Sequence, residues 1–346
     1  MERMNSLNNV NNWSINSDRR LYSANHDEIL KGGTTDIYFV RTQEILNYMD
    51  LVDKEVTVEI FASKPGLMAG TEEAMGLLAD DNNLKVWALP EGESFEAKEA
   101  VMRITGPYSQ VGIYETPLLG ILASSAGWAK AAKECRDAAG PDKKLICFGA
   151  RHLHPAVAPV MERSALVAGF DGCSCILGAK LMGKQPTGTV PHAVFLIVGD
   201  TLKVARAYHE SMPSGDPRIV LVDTFKDEAE ESLRLARSLS ENLNGVRLDT
   251  PSERGGVTSG LVREVRARLN QEGYSHVNIL ASGGITPERI TELKDEGVDA
   301  FGVGSYIAGS RANDMTMDIK EVEGEPVAKR GRIPGLSKTD RIIRYK

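Results

Sequence analysis

The chain has 346 residues, with 41 basic and 48 acidic side chains and a formal net charge of −7. That length suits two domains better than one and is ample for a buried core. The charges are interspersed, so no face is built for nucleic acid, and no apolar run reaches the roughly eighteen residues that span a bilayer.

Residues 1–20, "MERMNSLNNVNNWSINSDRR", are asparagine-rich and lack the apolar centre of a signal peptide. They are expected to form a disordered tail. "TTDIYFVRTQEILNYM" predicts a helix capped near Thr34 or Thr35. Then "EVTVEIFASKPGLMAG", "LKVWALPEGESF" and "EAVMRITGPY" predict strands around a short helix, "TEEAMGLLADD". "YETPLLGILASSAGWAKAAKECRDAAG" predicts a long helix interrupted near Gly127. Residues 21–140 thus predict an α/β sandwich-like domain with a linking helix.

After Pro141 the rhythm changes. Candidate strands at 144–148, 169–174, 189–191, 218–222, 245–248, 277–280 and 298–303 alternate with amphipathic helical stretches such as "DEAEESLRLARSLSENL". This alternation predicts an incomplete parallel α/β barrel over residues 141–310. Residues 311–346 return to strand-like alternation and are expected to join the first domain. "GAKLMGKQ", residues 178–185, matches part of a P-loop, but no Ser or Thr follows to hold Mg²⁺ and its setting is helical. The cysteines, Cys135, Cys147, Cys173 and Cys175, form no CxxC and no ligand set. They read as reduced, mostly buried thiols of a cytoplasmic protein.

Parallel barrels gather function at the carboxyl ends of their strands. Those ends read "FGARHLHP", "GFDGCS", "GTVPHA", "VDTFKDE", "VRLDTP", "SGGI" and "GVGS". They supply Arg151, His152, His154, Asp171, His192, Asp223, Asp227, Arg247 and Asp249, then two glycine turns. Taken singly, each polar residue reads as a cap or a structural contact. Together they suit a polyanionic ligand held partly through Mg²⁺. Gly283-Gly284 and Gly302 with Gly304 let backbone N–H groups approach a phosphate, and the helix after each turn adds the positive end of its dipole. A lone Gly-Gly pair would equally serve tight packing.

The blocks "TTDIYFV", "IFASKPG", "GIYETPLLGILA", "FGARHLHPA", "GFDGCS", "GTVPHA", "LVDTFKDE", "VRLDTP", "ILASGGI" and "FGVGS" resemble, in order, the nicotinate phosphoribosyltransferase family. The resemblance to this group of type II phosphoribosyltransferases covers about residues 31–310. It implies the sandwich-like domain plus incomplete barrel, assembled as homodimers or oligomers of dimers. The implied reaction joins nicotinate and phosphoribosyl pyrophosphate to give nicotinate mononucleotide and pyrophosphate. ATP is the implied co-substrate and Mg²⁺ accompanies the phosphates.

By position, His192 resembles the histidine that ATP phosphorylates, a role open to imidazole because its neutral form is nucleophilic. Phe148 matches an aromatic stacking on the pyridine ring, and Tyr38 one that the neighbouring subunit supplies to the other face. Arg151 and Arg247 match arginines near the nicotinate carboxylate and the phosphates. Asp249 resembles the aspartate on the ribose hydroxyls and Asp171 the one near the ring nitrogen. The resemblance gives the 5′-phosphate to Gly283, Gly284, Gly302 and Gly304, with Lys64 as a basic phosphate contact. Some relatives end in a cysteine-rich zinc segment; no cysteine follows Cys175, so no zinc is expected. The rival readings are nicotinamide or quinolinate transfer on the same fold, a phosphate-binding barrel isomerase or aldolase, and a non-catalytic nucleotide binder.

Overall fold

The computed structural model describes residues Met1–Lys346 and divides into two compact units, Met1–Lys130 with Arg311–Lys346, and Ala131–Ser310. The first unit carries β1 (Glu55–Ala62), β2 (Gly66–Leu67), β3 (Lys85–Ala88), β4 (Ser94–Phe95) and β5 (Ala100–Pro107). Alternation in β1 sends Val56, Val58, Ile60 and Ala62 into a core shared with Val86, Met102, Ile104, Leu118 and Leu122. Its other face is also covered. Glu59 is fully buried and accepts from Arg103 Nε at 2.8 Å and from the Ser337 amide at 3.1 Å.

The asparagine-rich start is not a free tail. Helix Leu7–Asn12 is capped by Ser6, and Met4 is 3% exposed within the core. Arg3 pairs with the buried Asp81 at 3.0 Å and donates to Tyr114 Oη at 2.9 Å. Two anchoring side chains outweigh a composition that reads as disorder. The helix predicted from "TTDIYF" spans Ile37–Tyr48, but its cap position is Asp36 and no side chain caps it.

Helix Glu115–Ala139 runs unbroken through Gly127. A β-carbon there would lie 2.4 Å from the Arg311 carbonyl oxygen, so this glycine permits a close backbone approach without a kink. The helix opens on Glu115, whose carboxyl is pushed up to about 7 by burial, with the charges of Asp318 and Asp36 adding to the effect. The native state therefore holds this proton more tightly than the unfolded chain does. Its stabilisation is present below the ordinary value of 4.5 and is lost as pH rises towards 7. Glu115→Gln is expected to raise the melting temperature by a few degrees at about pH 8 and to change it little near pH 4.5. After discounting for solvent screening the gain is on the order of 1–2 kcal/mol. Equal melting temperatures at the higher pH would contradict this.

The second unit holds β6 (Lys144–Cys147), β7 (Gly172–Cys173), β8 (Ile219–Leu221), β9 (Gly245–Leu248), β10 (Asn278–Ala281) and β11 (Ala300–Val303). They form one parallel sheet in the order β7-β6-β11-β10-β9-β8, curled into an incomplete barrel whose two edge strands do not pair. The strand expected at 189–191 forms no ladder. Gly188 and Pro191 bracket it, and the backbone just before it is tied where the Thr187 amide donates to the Cys173 carbonyl at 2.8 Å. Asp227 caps helix Glu228–Leu239, accepting from the amides of Ala229 and Glu230, so it serves the helix and not the strand end. The P-loop-like stretch forms helix Ile176–Leu181 and the turn after it.

The chain then returns to the first unit as β12 (Met315–Val322), β13 (Glu325–Pro326) and β14 (Ile343–Arg344). These complete an antiparallel sheet in the order β13-β12-β1-β5-β3-β14. No helix is long and apolar enough to cross a membrane.

Candidate active site

The carboxyl ends of the barrel strands assemble around Arg247. Its Nε donates to Ser282 Oγ at 2.8 Å, Nη1 to Thr189 Oγ1 at 2.9 Å and Nη2 to Asp249 Oδ2 at 3.1 Å. The guanidinium carbon sits 5.2 Å from the centre of the Phe148 ring. Ser282 closes the circuit by donating to Asp249 Oδ1 at 2.8 Å. A planar fork held on every nitrogen and backed by a ring is preorganised to meet anionic charge.

Phe148 follows β6, where its amide donates to the Val303 carbonyl at 2.7 Å. A β-carbon on Gly302 would lie 2.5 Å from its ring, and one on Gly304 2.8 Å from its carbonyl oxygen. These two glycines are therefore needed for the aromatic to pack, whatever else they do. Gly283 and Gly284, after the neighbouring β10, have φ of 84° and 65°. A β-carbon on Gly284 would meet nothing within 4 Å, so that turn opens to space.

His192 starts helix His192–Val198, three residues beyond Thr189. Its Nε2 lies 3.0 Å from Asp223 Oδ2, and the Asp223 side chain is 2% exposed. Burial pushes the Asp223 carboxyl above its usual range, against the bond to His192, and the charge of Asp249 adds to the rise. Its second oxygen, Oδ1, is buried without a hydrogen-bond partner. When Nε2 carries the proton and donates it to Asp223, the nucleophilic lone pair is on Nδ1.

Arg151 lies on the short turn Ala150–His152 and is exposed, with no ion-pair partner. His154 is also exposed, its Nδ1 accepting from the Ala156 amide.

Asp171 is not part of this group. Its carboxylate accepts from Arg136 Nη2 at 2.6 Å and from the Leu145 amide at 2.8 Å, where β6 and β7 begin. Asp299 repeats the device with Arg266 and the Ile279 amide. An aspartate just before a parallel strand meets the amide at the start of its neighbour. The span 169–174 hid this because only Gly172–Cys173 is strand, so the aspartate enters it and does not leave it. Asp171→Asn is expected to destabilise the protein by about 1–3 kcal/mol and to leave the geometry of the Arg247 network unchanged. An unchanged melting temperature in Asp171→Asn would contradict this structural role.

Tyr38 and Lys64 belong to the first unit. Tyr38 is 54% exposed, and Lys64 is exposed with its carbonyl accepting from Asn313. Sequence reasoning missed Thr189 and Ser282; the one signal was their place inside "GTVPHA" and "SGGI".

The cysteines take no part in this chemistry. Burial pushes Cys147 well above its ordinary value and Cys135 and Cys173 up to about 12, with neighbouring carboxylates adding to the effect. Iodoacetamide is expected to label the native protein at the half-buried Cys175 alone. Rapid labelling of Cys147 or Cys173, read by peptide mass, would contradict that.

Sequence profiles of the quinolinate phosphoribosyl transferase N-terminal and C-terminal domains match residues 36–126 and 128–318. A nicotinate phosphoribosyltransferase of Mycobacterium tuberculosis is 30% identical over 249 residues, covering 69% of this chain and 54% of its own length. One from Bacillus subtilis is 26% identical over 226 residues, covering 64% and 45%. The chain thus spans about half the length of these curated relatives. The crystal structure of a nicotinate-nucleotide pyrophosphorylase from Pyrococcus furiosus superposes with a TM-score of 0.85 at 43% identity, covering 92% of this chain and 82% of that one. Human nicotinic acid phosphoribosyltransferase shares the fold at a TM-score of 0.68 and 20% identity, covering 87% and 77%. With both domain profiles matched in order over most of its length, the chain belongs to the quinolinate phosphoribosyltransferase family.

Proposed function

We propose that this chain is a nicotinate phosphoribosyltransferase, joining nicotinate to phosphoribosyl pyrophosphate with release of pyrophosphate, as a step of NAD salvage. The observation that carries the reading is the Arg247 network, beside a histidine paired with a buried aspartate. Loss of pyrophosphate leaves an oxocarbenium-like C1, which the pyridine nitrogen attacks. That chemistry needs clamps and fixed charges more than an acid–base pair. Arg247 faces the leaving phosphates, Asp249 holds ribose hydroxyls, Phe148 stacks on the ring, and Arg151 meets the carboxylate. The turns at Gly283 and Gly284, with Gly302 and Gly304, receive the 5′-phosphate.

His192 is the proposed phosphoryl acceptor from ATP, with Nδ1 as the attacking atom. No group of three His, Cys, Asp or Glu is arranged to hold a metal ion. Mg²⁺ carried on substrate phosphates needs only one or two protein oxygens. Asp223 Oδ1, buried and unpartnered, is an oxygen of that kind. We place the enzyme in the cytoplasm as a homodimer in which Tyr38 serves the partner's pyridine ring. Exposed Ile37, Ile45, Tyr48 and Met49 on and beside its helix support a contact between copies.

Quinolinate is the second reading, favoured by the name of the matched domain profiles. Its extra carboxylate calls for a further cation beside Arg151 at the Phe148 turn, whereas the proposal commits Arg247 to the phosphates. The test is incubation with phosphoribosyl pyrophosphate, Mg²⁺ and nicotinate, nicotinamide or quinolinate, with and without ATP. Mononucleotide should form with nicotinate and faster with ATP. Turnover of quinolinate alone, with release of CO₂, would overturn the assignment.

A further inference from the structure

Helix Ala158–Val167 buries an acid on its apolar face. Glu162 is 0% exposed, beside the equally buried Met161 and Ala165. Its Oε1 accepts from the Ala150 amide at 3.0 Å and from Ser174 Oγ at 3.1 Å, and its Oε2 from the Cys175 amide at 2.5 Å. Ala150 lies in the turn that carries Phe148 and Arg151, and Ser174 and Cys175 leave the neighbouring β7. One carboxylate therefore spans two adjacent strand ends. A buried carboxylate is costly unless donors surround it, and these donors all come from the two turns. Next to Ala150, a β-carbon on Gly149 would lie 2.4 Å from the Met161 methyl group, so the turn seats directly on this helix.

We infer that Glu162 is a positioning residue that sets the Phe148–Arg151 turn for recognition of the pyridine carboxylate. The inference rests on the proposed nicotinate transfer. Its action runs through backbone amides and not through contact with substrate. An amide at this place retains one good acceptor but turns an N–H group towards at least one donor. The turn should then loosen while the Arg247 network, held by Thr189, Ser282 and Asp249, stays in place.

The test compares wild type, Glu162→Gln and the milder Ser174→Ala, which removes one donor and keeps the acid. Steady-state kinetics with nicotinate and phosphoribosyl pyrophosphate are read beside hydrogen exchange of the peptides containing Ala150 and Cys175. Glu162→Gln is expected to raise the nicotinate KM at least about tenfold, with the phosphoribosyl pyrophosphate KM within about twofold. Both peptides should exchange faster, and Ser174→Ala should shift the nicotinate KM by less. A merely structural role would lower kcat through the active fraction and leave both KM values alone; that result overturns the inference. Should Glu162→Gln not fold, an unchanged nicotinate KM in Ser174→Ala would overturn it equally. A wild type that transfers to no pyridine defeats the functional reading instead. Exchange then decides the positioning by itself: unchanged protection of the two peptides in a folded Glu162→Gln refutes it.

Discussion

Arg247→Ala is expected to lower kcat/KM for mononucleotide formation by about 10²–10³, the range for losing a fixed donor that faces developing anionic charge. Three hydrogen bonds and the Phe148 ring hold this guanidinium, so in the proposed reaction it would need no reorganisation as pyrophosphate departs. Each lost charge-assisted contact is worth on the order of 1.5–3 kcal/mol. Folding should suffer far less, because Ser282 and Asp249 follow strands that keep their own ladders and other ties, such as the Ser282 amide to Leu248, and Thr189 lies in a loop. The melting temperature should fall by no more than a few degrees. A steep loss of melting temperature with transfer intact would make Arg247 a structural ion-pair residue.

His192→Ala should abolish ATP hydrolysis and the acid-labile label from γ-³²P-ATP while sparing a slow, ATP-independent transfer. The coupled rate is expected to drop about 10²-fold or more, as for loss of a catalytic imidazole. A residual transfer is expected under the proposed reaction because Arg247 is held by Thr189 and not by His192. Asp223→Asn should give a milder loss, because the ring would keep a partner but lose its charge. Label persisting on His192→Ala would move the phosphoryl acceptor elsewhere.

Much of the fold was legible because short apolar strands and amphipathic helices alternate after Pro141, and Val246, Leu248, Ile279 and Val303 read as the buried strands they are. Three features were not. The order of the start depends on Arg3 finding Asp81, a pairing 78 residues away that no local window contains. The unbroken helix through Gly127 depends on a backbone approach by Arg311. Asp171 fell on the wrong end of its strand because a two-residue strand has no measurable direction in a pattern.

At the site, charged residues at strand ends stand out in the sequence, which singles out Arg247, Asp249 and His192, whereas Phe148 is named only through the family resemblance. Ser282 and Thr189 escaped notice because small hydroxyl side chains beside glycine or proline look like ordinary turn chemistry. Glu162 escaped for the opposite reason. It sits inside a helix, where a single acid is normally a solvated position.

The most direct test of the central claim follows the bond itself. Nicotinate labelled with ¹⁵N and phosphoribosyl pyrophosphate labelled with ¹³C at C1 are incubated with the enzyme, Mg²⁺ and ATP, and the products are read by NMR. A one-bond ¹⁵N–¹³C coupling in a mononucleotide is expected, with one pyrophosphate released for each bond formed. Ribose 5-phosphate accumulating with the nicotinate unchanged would contradict it.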